Sequence, residues 1–91
     1  MMVPSESRTS LVEVEGQSPL LVERLREPIR LALGDRRTFY SVRVETVGRL
    51  GEVLVSITGI RGHLPLLLKE EELEPGHVAR VVRDTVKRFG L

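Results

Sequence analysis

Residues 39–58 read FYSVRVETVGRLGEVLVSIT. Tyr40, Val42 and Val44 alternate with Ser41, Arg43 and Glu45, and beyond Gly48 to Gly51 the alternation resumes with Val53, Val55 and Ile57. A period of two puts each apolar set on one side of a strand, and the glycine-flanked break between the runs is a four-residue turn. The segment therefore predicts a β-hairpin with one apolar face. Downstream, Gly59 to Gly62 form a second turn into a third strand over residues 63–68. Pro65 has no N–H to give to a ladder, which places this strand at a sheet edge or gives it a bulge.

Upstream, residues 10–15 are short and β-branched and end at Gly16, which predicts a strand. Ser18 then Pro19 is a helix start, because the hydroxyl can cap and the missing proline N–H would be unpaired there anyway. Leu21, Leu25, Ile29, Ala32 and Leu33 recur at helical spacing, and Gly34 is suited to closing the helix. Pro28 interrupts this pattern and predicts a kink or a split. A last helix starts near Pro75, with Val78, Val81, Val82, Val86 and Phe89 on one face and Gly90 at its close. The expected order is β-α-β-β-β-α: a two-layer α+β sandwich, an antiparallel sheet with two helices packed on one face. Residues 1–9 are expected to form a flexible tail and residues 10–91 a single domain.

Composition narrows the function classes. The chain has 91 residues, 41% hydrophobic and 30% charged, with a net charge of +1, which is globular rather than disordered. The absence of Cys excludes disulfides, thiolate metal sites and cysteine nucleophiles. No apolar run approaches membrane-span length and MMVPSESR has no apolar signal core, so the expected location is cytoplasmic, with no membrane partner. Twelve Arg stand against two Lys, with no Asn and a single Gln. Depletion of thermolabile residues is a bias of hyperthermophiles, and a GC-rich genome enriches Arg in the same way.

Catalytic signals are absent from the pattern. His63 and His77 stand beside glycines at element ends without a His or Asp neighbour at ligand spacing, and read as exposed turn residues. The serines form no nucleophile elbow, and the two glycine pairs read as hairpin turns rather than phosphate cradles. The expectation is no enzyme, no cofactor and no metal. The glutamates of residues 69–74 read as partners for the positive end of the last helix, and Lys87 and Arg88 as partners for its negative end.

Two surfaces stand out. Leu64, Leu66 and Leu68 face one way on the third strand and Leu67 the other, while Leu54 lies among polar residues on the outer face of the hairpin. An apolar edge of this kind calls for cover, either from the N-terminal strand or from another chain. These five leucines are the candidate protein interface. Arg80, Arg83, Lys87 and Arg88, with Arg36 and Arg37 after the first helix, are the candidate nucleic-acid contacts.

From Ser18 to Gly90 the element order resembles double-stranded-RNA-binding domains, although residues 74–79, Glu-Pro-Gly-His-Val-Ala, carry no basic cluster. GEVLVSITG (residues 51–59), followed by an apolar strand, a Glu/Leu segment and a final helix, is similar to the YbaB/EbfC nucleoid-associated proteins, though without their long first helix. Either resemblance implies nucleic-acid binding. The residues themselves point first to a non-catalytic interaction module, a homodimer that binds a protein partner through its sheet edge or outer sheet face.

Overall fold

The alternation in residues 39–58 folds as its period requires. In the computed structural model, which describes residues 12–34 and 38–91, strands β2 (Tyr40–Val47) and β3 (Glu52–Gly59) pair antiparallel from Tyr40↔Gly59 to Val47↔Glu52. Tyr40, Val42, Val44, Val53, Val55 and Ile57 are all buried on the inner face. Strand β4 (Gly62–Leu68) continues antiparallel from Gly59↔Gly62 to Val53↔Leu68 with no slip in register, so Pro65 sits on an edge strand without a bulge. A residue without an N–H must turn its nitrogen to the open side, and Pro65 leaves that edge short of a donor at its centre.

The sheet is mixed rather than wholly antiparallel. Strand β1 (Val12–Glu15) pairs parallel with β2, in register Val12↔Tyr40 to Glu15↔Arg43, and the strand order is β1-β2-β3-β4. The cause is the intervening helix α1 (Pro19–Leu33), which carries the chain back to the end where β1 began. This topology puts β1 on the edge away from β4, so β1 does not cover the leucine strand. Residues 10–11 of the predicted strand and the expected N-terminal tail lie outside the described residues.

Helix α1 begins as its sequence dictates. The Ser18 hydroxyl accepts the Leu21 N–H at 3.3 Å, with Pro19 in the first turn. Pro28 does not split it: the helix runs unbroken through residue 28. The reason is phase, because Pro28 falls on the buried stripe of Leu21, Val22, Leu25, Ile29, Ala32 and Leu33, where its ring packs as an apolar side chain. Gly34 ends the helix in right-handed geometry (φ −66°), its N–H bonded to the Arg30 carbonyl, rather than in the left-handed cap that glycine favours.

After β4 a single 3-10 turn, Glu70–Glu72, leads into α2 (Pro75–Arg88). The Glu72 carboxylate accepts the Lys69 N–H at 2.8 Å, and Leu73 is buried at 3% exposure. Helix α2 buries Val78, Ala79, Val82 and Val86, and Gly90 closes it with φ 70°. Both helices share one hydrophobic core with the inner face of the sheet, and no polar or charged residue is buried among the described residues.

The candidate interaction surfaces

Registers fix what the outer sheet face displays, since no described element packs on it. Across the strands run the rows Glu13, Ser41, Thr58, His63; Glu15, Arg43, Ser56, Pro65; and Glu45, Leu54, Leu67. On the β1–β2 side the face is ionic. The Arg43 Nε lies 2.9 Å from Glu45 and its Nη1 3.3 Å from Glu15. The hydrogen bond and charge of Glu45, and then Glu15, raise the Arg43 guanidinium further above its ordinary value. Toward the β3–β4 side the face carries an apolar spot beside Ser56, Thr58 and His63: Leu54 sits directly opposite Leu67, with Pro65 the next outward residue on β4 and Val47 diagonal to Leu54 on β2.

The five candidate leucines therefore divide. Leu68, 2% exposed, belongs to the core and cannot meet a partner without unfolding the edge. Leu66 packs partly buried against that core, and Leu64 is half-buried on the same inner face. Only Leu67, at 51% exposure, and half-buried Leu54 look outward. Sequence reasoning omitted Val47, whose place beside Leu54 follows from the Val47↔Glu52 pairing and the alternation.

Of the basic candidates, Arg80, Arg83, Lys87 and Arg88 are all exposed on α2, and none makes an ion pair among the described residues. Arg36 and Arg37 lie outside the described residues. The larger electrostatic feature is one that net charge hides. The α1 cap Ser18 and Leu21 of α1 line a hollow of about 260 Å³ with Thr46, Gly51, Glu70 and Leu73, so the start of α1, the β2–β3 turn and the approach to α2 share one end. Thr38, Tyr40, Ile60, Arg61 and Leu91 line a second hollow of about 190 Å³ at the other end. Both helices thus run from the first end to the second. Residues 17–24, 45–53 and 69–77 hold seven Glu against three Lys or Arg. Residues 29–34, 38–40, 58–63 and 85–91 hold Arg30, Arg61, Lys87 and Arg88 and no acidic side chain. Cations stand in the last turn of each helix, Arg30 in α1 and Lys87 and Arg88 in α2, while neither first turn holds an acidic residue. Among the described residues the two ends carry opposite charge.

The histidines are placed apart. The His63 Nδ1 lies 2.9 Å from the Thr58 hydroxyl on the outer face, and the His77 Nε2 3.8 Å from Glu72 at the start of α2. Among the described residues no three His, Asp or Glu side chains gather as a metal site. No described helix is long and apolar enough to cross a membrane. No protein-family model, curated protein or solved structure matches the chain significantly.

Proposed function

We propose that this protein is a non-catalytic interaction module that self-associates through its outer sheet face around Leu54 and Leu67. The observation that carries the reading is the bare face itself: an apolar patch of Val47, Leu54, Pro65 and Leu67 that no described element covers. Pairing through the β4 edge is disfavoured by Pro65, which removes a donor from the middle of a seven-residue strand. Face-to-face packing needs no such donor. A two-fold axis through the patch sets Leu67 against its symmetry mate, the usual economy of homodimers.

Light scattering across a concentration series tests this. The wild type should give twice the 10.2 kDa chain mass. Leu67→Glu should return it to monomer and weaken association about thirtyfold or more, the scale of a central interface residue, with its thermal midpoint unchanged at monomer concentrations. A wild type that stays monomeric at every concentration overturns the reading.

A second reading, nucleic-acid binding, is favoured by the exposed row of Arg80, Arg83, Lys87 and Arg88 on α2. In an anisotropy titration at two salt concentrations, binding should weaken steeply with salt, with a log–log slope of about 0.9 per phosphate contact. Arg80→Glu with Arg83→Glu should abolish it while the fold stays intact. No binding to duplex or single strand at low salt rejects this reading.

A further inference from the structure

The end where both helices finish carries a second pattern, distinct from the leucine face. Three dipeptides from three different elements each place an exposed apolar side chain beside a cation: Arg30–Leu31 in the last turn of α1, Ile60–Arg61 at the tip of the β3–β4 turn, and Arg88–Phe89 at the end of α2. Leu31 is 70% exposed, Ile60 80% and Phe89 63%, and Phe39 joins them at 42%. The Leu91 side chain lies within 4 Å of where side chains at Gly59 and Gly62 would begin, which draws the end of α2 against the turn that presents Ile60. The acidic side chains that border this end are exposed Asp84, one turn before Lys87 and Arg88 on α2, and on the sheet Glu13, one residue further in and on the outer face; the four cations outnumber them.

We infer that this end docks on anionic lipid bilayers, with Ile60, Phe89, Leu31 and Phe39 entering the interface and Arg30, Arg61, Lys87 and Arg88 meeting the headgroups. Apolar side chains that enter the headgroup boundary beside cations are what such a surface selects: burial supplies one part of the affinity and counter-charge the other. A single-stranded nucleic acid would use the two phenylalanines as stacking faces but gains nothing from an exposed isoleucine and leucine. The opposite, glutamate-rich end faces away from the bilayer and is repelled by it, so orientation follows from the same charge separation. This departs from the expectation of no membrane partner, which rests on the lack of a spanning run: no described helix is long and apolar enough to cross, and the docking is to the bilayer surface.

Vesicle flotation of the intact protein tests this, with pure phosphatidylcholine set against phosphatidylcholine mixed with phosphatidylserine, at low and high salt. Binding should require phosphatidylserine and fall as salt rises. Arg61→Glu with Arg88→Glu should lower partition at least about tenfold. Ile60→Ser with Phe89→Ser, which leaves the charge unchanged, should also lower it several-fold, and circular dichroism should show both double variants folded. Leu67→Glu lies on the other surface and should bind vesicles like the wild type, so loss of self-association and loss of docking are separately visible. Three results overturn the inference: no flotation with anionic vesicles at low salt, flotation indifferent to the Ile60 and Phe89 changes, or an oligonucleotide that displaces the protein from vesicles and binds with the same indifference.

Discussion

Replacing Gly16 with alanine should cost about 2–4 kcal/mol, a large share of the roughly 5–14 kcal/mol expected for a domain of this length. Gly16 is the first residue past β1, where the chain turns toward α1 close over β2. A Cβ there would stand 2.1 Å from the Val44 carbonyl oxygen, with Val44 Cγ2 at 3.1 Å and Val22 Cγ2 at 3.2 Å. The obstacle is main chain in the middle of β2, paired with Val55 of β3 and one residue past the Glu15↔Arg43 pair that ends the β1 ladder, so it cannot rotate away as a side chain would. The alternative is for β1 to lift from β2, which uncovers Val12 and Val14. Urea unfolding should show the loss, and amide exchange should show it concentrated in residues 12–15. Gly76 gives the opposite sign in the same assay. Nothing lies within 4 Å of a Cβ at that position in the first turn of α2, so Gly76→Ala should stabilise by about 0.4–1 kcal/mol through the unfolded chain. Equal effects at the two sites would refute the steric account.

The fold was legible where a physical period imposed it. Alternation in residues 40–58 specifies which face is buried, because a one-residue slip would expose every valine at once. Ser18 and Pro19 mark a helix start by their own chemistry. The direction of β1 was not legible, because alternation within four residues does not encode whether the neighbour runs parallel or antiparallel. Only the helix between β1 and β2 settles that. Pro28 does not split α1 because it falls on the buried stripe: the same residue off that stripe would lose a hydrogen bond and gain no packing. Leu68 misled because the last residue of an edge strand can be covered by the next stretch of chain, and Leu73 lies in the same core.

The surfaces were harder to read than the core. A net charge of +1 describes neither end of this molecule, and separating the ends required knowing that Arg61, on a turn, shares a side with the last turns of two helices. Leu31, Ile60 and Phe89 are 29 residues apart in each case, and no local window relates them. Leu54 and Leu67 were findable, because two hairpins in simple register place them opposite once the turns are counted.

Tyr40→Ala should be the most damaging single core change, costing about 3–5 kcal/mol. Tyr40 is fully buried at the start of β2, the largest such side chain in the core, and its hydroxyl donates to the Leu91 main-chain oxygen at 2.9 Å. Tyr40→Phe keeps the ring and should cost only about 0.5–1.5 kcal/mol, the net worth of one hydrogen bond. The ring also explains its partner across the ladder. A Cβ at Gly59 would meet Tyr40 Cε1 at 3.2 Å and Cδ1 at 3.3 Å, so Gly59→Ala requires the packed ring to yield by a few tenths of an ångström. In the Tyr40→Ala background that obstacle is gone and the added methyl fills part of the space the ring left. The cost of Gly59→Ala should then shrink or change sign, a coupling of about 0.5–3 kcal/mol in a double-mutant cycle read by urea unfolding. Additive costs would mean that Gly59 and the ring do not constrain each other. Coupled costs would mean that ring and glycine form one device, in which a missing side chain on β3 makes room for a large one on β2 and the tyrosine hydroxyl holds the end of α2 over both.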